Sequence, residues 1–300
     1  MAAAAVDLDL RRRLEAHIDN LPVLPLALAN LMALDATAED YFDRVLQIIE
    51  AEPNFAARLL IAANSASSAP SNPVTTLATA IARIGSKGAT DLVLALSVTK
   101  VFVPRDRWEQ SLWRHGVQVA HAARLLATHV PDDEGVRPEE VYACALLHDV
   151  GRFVLFQEAP EELRAVDEGD WDTPQTLIDQ EQAICGLTHP ELGAMACVKW
   201  RLPDAIRQSV RKHHDPLPDK LSTLEDKIVA IVRVADLAMF PSAVPGNDSL
   251  AQAMSSEELL EYVQPRLPSF LTISGPLLSQ LIEQAEADAD AACQALGIGH

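Results

Sequence analysis

The amino-acid sequence predicts an all-α fold, and three observations lead there. Hydrophobic residues make up 49% of the 300 positions while aromatic residues make up only 5%, with Ala and Leu abundant throughout, which suits packed helices better than a β-sandwich. Apolar residues recur at helical spacing along most of the chain. Proline, asparagine and glycine punctuate those stretches where helices start or stop. The length allows one large helical domain or two lobes, each with a real core.

Taken in order, the pattern places an opening helix up to residue 18, then helices over 25–34, 41–51 and 54–62. Pro53 sits in a first helical turn, where no backbone N–H is required. Residues 69–73 form a Pro- and Asn-rich loop. A helix over 75–84 is stopped by Gly85, and an apolar helix covers 89–101. The segment Val103-Pro-Arg-Asp-Arg107 interrupts the apolar pattern with a proline and three charges, and reads as a hinge between lobes. This gives expected divisions at 1–105, 106–245 and 246–300. The second lobe continues with helices over 109–129, 138–156, 173–185, 190–199, 203–213 and 222–240. Residues 131–137 and 159–172 read as acidic, exposed loops. A final stripe of Leu278, Leu281, Ile282, Ala285, Ala289, Ala292 and Leu296 is expected to pack on the core.

Charge and motif content exclude several function classes. Twenty-four Lys and Arg against 43 Asp and Glu give a net charge of -19, which disfavours direct DNA binding. One local basic segment, Lys199-Trp-Arg201 with Arg207 and Arg211-Lys212, leads into His213; it reads either as a solvated helix face or as a site for a small phosphate. Cys144, Cys185, Cys197 and Cys293 are widely spaced with no CxxC pair, so neither a disulfide framework nor a structural zinc site is expected, and a cytoplasmic setting is. The start Met1–Val6 lacks the features of a signal peptide, and the apolar run 228–240 contains Arg233 and Asp236 and is too short to cross a bilayer. There is no GxGxxG, GxxxxGK[ST] or GxSxG motif. Ala63-Asn-Ser65 reads as a polar helix end rather than a nucleophile.

Metal-ligand side chains stand in a specific order: His115, His148-Asp149, His189, His213-His214 and Asp236. The pair His148-Asp149 lies within 141–156, a run apolar nearly all round and so expected as a buried helix. An unpaired carboxylate there would cost several kcal/mol. A divalent cation would satisfy the imidazole and the carboxylate together. Singly, each residue has a simpler explanation: His189 starts a helix before Pro190-Glu191, and His213-His214 suit a helix C-terminus. His17, His121, His129 and His300 are not assigned to the site.

The ordered set resembles the HD superfamily of metal-dependent phosphohydrolases over roughly Trp108 to Phe240. Leu21-Pro-Val-Leu-Pro25, Glu52-Pro53, Ala63-Asn-Ser65 and Ala80-Ile-Ala-Arg-Ile-Gly85 are similar to the HDOD family, the HD-related output domains. That resemblance implies a helical N-terminal HDOD subdomain followed by an HD-like bundle. It also implies one or two divalent ions (Fe, Mn or Zn), with His115, His148 and Asp236 around one and His189, His213 and His214 completing the other. Asp149 would bridge them. Arg152 stands where related HD-GYP phosphodiesterases have a lysine in HDxGK, and its fork suits a phosphate oxygen; Asp149 and Arg152 are thus the implied catalytic residues. Two features depart from that group. His213-His214 is followed by Asp215-Pro-Leu-Pro218 instead of an extended GYP motif, so cyclic-dinucleotide specificity does not carry over. Ser111 stands where some members have a glutamate, which argues against a third metal.

The functions implied are a bacterial signal-transduction module acting through protein partners, a metal-dependent phosphohydrolase of nucleotides or cyclic (di)nucleotides, or a nucleotide sensor without turnover. The sequence leaves the three open.

Overall fold

The computed structural model describes residues 8–22, 26–32, 34–35, 37–64, 73–99, 101–169, 171, 173–218, 220–239 and 254–298. These form α-helices joined by turns, with no strand among the described residues. Met1–Val6, Val23-Leu-Pro25, Ser65, most of the 69–73 loop, Phe240 and His300 lie outside them. Among the described residues no helix is long and apolar enough to cross a membrane.

The chain divides into two compact units, one made of 1–22 and 105–286 and the other of 23–104 and 287–300. These units differ from the expected division at 1–105, 106–245 and 246–300. The first helix, α1 (Leu8–Asn20), packs within the unit that carries the His and Asp residues. Of the described residues near the C-terminus, 254–286 belong to the first unit and 287–298 to the second.

The unit of 23–104 holds α2 (Leu26–Met32), α3 (Tyr41–Glu50), α4 (Pro53–Ala63), α5 (Leu77–Ile84) and α6 (Ser86–Thr99). Helix α6 is its centre, buried continuously from Ala89 to Val98 and packed by each of the other four. Asn64 ends α4: its side-chain Nδ2 donates to the carbonyls of Leu60 and Val74, both at 2.8 Å, and its Oδ1 accepts from the Val74 N–H at 2.8 Å. The Asn of the Ala63-Asn-Ser65 motif therefore ties a helix end to the segment that follows. Gly85 stops α5 with φ 86°, a conformation that glycine adopts at no steric cost.

The other unit continues with α7 (Arg107–Ala127), α8 (Pro138–Leu147), α9 (Val150–Glu158), α10 (Pro160–Asp167), α11 (Pro174–Cys185), α12 (His189–Trp200), α13 (Asp204–Lys212), α14 (Leu224–Met239) and α15 (Ser256–Val263). Helix α16 (Gly275–Leu296) begins in this unit and ends in the other. Helix α7 is capped by Asp106, whose carboxylate accepts from the N–H groups of Trp108 and Glu109, and it packs against α8 and α14. The expected tail stripe is buried at Leu278, Leu281, Ile282, Ala285, Ala289 and Leu296.

Two local expectations are corrected here. Residues 159–172 are not simply an exposed loop, because 160–167 form α10 with Leu163, Val166 and Asp167 buried. Pro160 at its start, Glu161 and Glu162 in its first turn, and the Leu163/Val166 spacing account for that helix. More consequentially, the single helix expected over 138–156 is two, broken at His148-Asp149, where Asp149 leaves helical geometry with φ -97° and ψ 15°. The break turns α9 onto the start of α12 at very close range. A Cβ placed on Gly151 would lie 1.9 Å from the His189 carbonyl oxygen and 2.7 Å from the Gly193 nitrogen. Periodicity reports which residues are apolar, and both segments are; it does not register that a backbone crossing must fit between them.

The crossing makes Gly151→Ala a severe substitution, since the obstructing atoms are backbone. A loss of about 3 kcal/mol is expected in urea unfolding; a loss below about 1 kcal/mol would contradict the crossing.

Buried His121 on α7 accepts from Arg124, whose Nη2 lies 3.0 Å from Nδ1, and stands edge-on to Tyr142. Burial, reinforced by the Arg124 charge, lowers its pKa to about 3. The unfolded imidazole binds a proton near its usual 6.5, so this site favours folding above that pH and loses stability progressively as pH falls from 6.5 toward 3. Between pH 7 and pH 5 the cost is about 2 kcal/mol. The drop in urea-derived stability over this interval should shrink by about that amount in His121→Gln.

Candidate metal centre

All seven residues singled out in the sequence as candidate metal ligands converge in one unit, most of them at or near helix ends. His115 comes from the middle of α7, His148 ends α8 and Asp149 opens α9. His189 is the first residue of α12, His213 ends α13 with His214 next, and Asp236 lies near the end of α14. His115, His148, Asp149, His189, His213 and Asp236 are all less than a tenth exposed.

Asp149 faces both halves of the set. Its Oδ1 lies 3.1 Å from His189 Nε2 and 3.4 Å from His213 Nε2, while its Oδ2 lies 3.5 Å from His148 Nε2 and 3.8 Å from His115 Nε2. Asp236 Oδ1 sits 3.2 Å from His115 Nε2 and 3.6 Å from His148 Nε2, and its Oδ2 lies 3.8 Å from His214 Nδ1. The donor atoms therefore fall into two clusters: Asp149 with His189, His213 and His214, and His115 with His148 and Asp236.

Hydrogen bonds on the far side of the rings decide which nitrogen faces inward. His148 Nδ1 is 2.6 Å from the Ala145 carbonyl, and His213 Nδ1 is 2.9 Å from that of Val210. His189 Nδ1 is 2.7 Å from Glu181 Oε2. Each of these acceptors takes an Nδ1–H, so all three Nε2 atoms turn toward the carboxylates, where a lone pair is available to a cation once any second proton is lost.

A metal ion fits this arrangement. Buried His148 Nε2 and Asp149 Oδ1 lack an aligned hydrogen-bond partner. Asp149 Oδ1, His189 Nε2 and His213 Nε2 form a triangle with edges of 3.1, 3.4 and 3.1 Å. Donors about 2.0–2.2 Å from one ion stand roughly 3–3.5 Å apart, as these do.

Electrostatics point the same way. Burial opposes the charged form of His148, but Asp149 and Asp236 outweigh it and raise its pKa to about 9; for His189, Glu181 and Asp149 do the same, also to about 9. Burial likewise opposes the ionised carboxylates, yet the neighbouring imidazoles hold Asp149 and Asp236 well below the usual carboxylate range. Burial keeps His213 and His214 low, and so neutral.

Arg152 is placed otherwise than its expected phosphate role requires. It is buried, with Nη2 bound to Asp167 and Nη1 3.5 Å from Glu181 Oε1. Its fork is thus turned onto two protein carboxylates. Neither carboxylate stands out in the sequence: Asp167 falls within the loop expected over 159–172, and Glu181 within the helix expected over 173–185. The available signal was Glu181's place eight residues before His189 on an otherwise separate helix, and nothing in one sequence marks that spacing. The basic segment at the end of α12 and along α13 is partly committed as well, since Lys199 donates to the Asp19 carbonyl at 2.7 Å and Arg207 pairs with Asp204 at 2.7 Å. Ser111 bonds back to the Arg107 carbonyl of its own helix.

Comparison with known proteins agrees with this architecture. In structure the chain is similar to an HDOD domain protein of unknown function from Geobacter sulfurreducens, with a TM-score of 0.71 and 21% identity over 96% of this chain and 97% of that one. It is also similar to a candidate signal transduction protein from Marinobacter aquaeolei VT8, at 0.69 and 18% over 98% of this chain and 67% of that one. A candidate phosphohydrolase from Shewanella amazonensis SB2B matches at 0.66 and 20% over 95% and 98%. At these identities the likeness is one of fold. An uncharacterised protein of Treponema pallidum (strain Nichols) is 24% identical over 201 residues, which are 66% of this chain and 38% of that protein, so the chain spans well under half of that relative's length. Residues 21–216 match the HDOD domain, and the chain belongs to the HDOD family.

Proposed function

We propose that this protein is a regulatory HDOD module of bacterial signalling whose HD-like unit binds a divalent metal, and that signalling proteins respond to the metal- or ligand-bound state of that unit. The observation that carries the reading is the two-sided placement of Asp149, one oxygen toward each donor cluster. His115, His148 and Asp236 would hold an ion on one side; His189, His213 and His214 would hold one on the other, with Asp149 shared. Fe, Mn and Zn all suit imidazole and carboxylate donors.

Charge bears on the number of ions. The buried carboxylates of Asp149, Asp167, Glu181 and Asp236 face one buried guanidinium, Arg152, leaving three negative charges uncompensated. One divalent ion leaves a single negative charge. Two exceed the balance by one, a charge that an anionic ligand such as a nucleotide phosphate would neutralise.

Binding is favoured over turnover because Arg152 is already paired with protein carboxylates. A second reading, phosphohydrolysis of nucleotides or cyclic nucleotides, is supported by the completeness of the donor set. A bound ion would supply Lewis-acid charge to a phosphoryl oxygen and lower the pKa of water. The chain's own contribution is to hold Asp149 ionised between the imidazoles and to exclude bulk water from them.

Metal analysis by plasma mass spectrometry, on anaerobically purified protein beside Asp149→Ala, is expected to find about one or two ions per chain in the parent and a large loss in the variant. No metal in the parent, even after loading with Fe, Mn and Zn in turn, would refute the proposal. A phosphoester panel run on the loaded protein separates the two readings: sustained hydrolysis abolished by Asp149→Ala establishes the second.

Metal uptake should also depend on pH. Without metal, His148 and His189 keep a second proton up to about pH 9, and an ion must displace it. Apparent Zn2+ affinity should therefore weaken as pH falls from 9 to 6, by roughly tenfold per pH unit for each proton displaced. Titrations in weakly buffered solution should record the matching proton release.

A further inference from the structure

Four imidazoles of the centre are held in different ways. His148 and His213 give Nδ1 to carbonyls of their own helices, and His115 Nδ1 has no hydrogen-bond partner. His189 is held by a carboxylate. Glu181 Oε2 accepts both the His189 backbone N–H at 2.8 Å and its Nδ1–H at 2.7 Å, which fixes the start of α12 and the rotation of the ring together.

Glu181 is itself held. Its side chain is fully buried, its other oxygen lies 3.5 Å from Arg152 Nη1, and Arg152 Nη2 is bound to Asp167. Asp167 in turn accepts from Trp108 Nε1 at 2.7 Å. Two carboxylates against one guanidinium leave this chain of contacts with one net negative charge. The tight partner of Arg152 is Asp167, whereas Glu181 lies at the longer distance and makes its short contacts to His189. The excess negative charge is therefore directed at the ring.

We infer that Glu181 is the positioning residue of the metal centre: it orients His189 and raises its donor strength, while Arg152 and Asp167 hold Glu181 in place. Arg152 then serves the metal ligands rather than a substrate phosphate. Loss of such a carboxylate behind a ligating histidine typically weakens metal binding 10–100-fold. This inference rests on the metal reading above.

The test is Zn2+ affinity by competition with a chromogenic chelator for the parent, Glu181→Gln and Asp167→Asn, with the histidine ring nitrogens followed by 15N NMR. Glu181→Gln keeps the shape and is expected to weaken Zn2+ by 10–100-fold, with the His189 Nδ1–H resonance shifted upfield. Asp167→Asn leaves every contact of His189 in place and is expected to cost less, about threefold to tenfold, with a smaller shift of the same resonance. If Glu181→Gln does not fold, Asp167→Asn carries the test. Unchanged affinity and an unchanged His189 resonance in the folded variant would overturn the inference while leaving the metal centre standing. A parent protein that takes up no Zn2+, Mn2+ or Fe2+ would remove the metal reading and this inference with it.

Discussion

An ionised carboxylate buried among imidazoles is the constraint on which this structure turns. Asp149 is almost inaccessible to water, and its two oxygens are surrounded by ring nitrogens from four helices. Such a group is tolerated only when its charge is matched nearby. Matching it requires α7, the α8/α9 corner, α12 and α13 to bring side chains to one point. The corner supplies His148 and Asp149 from consecutive positions, and Gly151 lets the next helix lie against the start of α12. Backbone geometry at one turn thereby sets the spacing of the whole centre.

The same constraint explains how the centre responds to its surroundings. With no cation, His148 and His189 take up protons that their burial alone would repel, because the carboxylates face them. A bound cation would displace those protons. Two protons or one divalent ion would leave the buried groups with the same single negative charge, so the two states would differ in charge distribution rather than in total charge. Arg152 belongs to that balance. A cation in a motif position associated with phosphate instead spends its donors on Asp167 and Glu181, so motif position alone does not define its role.

Membership of the HDOD family and the similarity to solved structures establish the architecture, while chemistry has to be argued from side chains. The donor set is complete, and its geometry suits cation binding. What surrounds it is less suited to catalysis than the resemblance alone implies, since the nearest arginine is committed and the segment after His214 lacks the GYP motif. The regulatory reading proposed above, with a metal bound in the HD-like unit, accommodates both facts.

Much of the fold and most of the centre were legible in the sequence. Helical periodicity and punctuating Pro and Gly residues determine the all-α class and the approximate extent of most helices, and the ordered His and Asp residues mark the candidate metal ligands that the structure gathers into two clusters. These signals are local, or follow the order of residues along the chain. The helix break at Asp149, the crossing at Gly151, the burial of α10 and the attachment of α1 to the metal-site unit were decided by tertiary structure. So were the pairing of Arg152 with Asp167 and the grip of Glu181 on His189. Each depends on which surfaces meet and which charges are buried together, and those are properties of the packed chain that periodicity does not record.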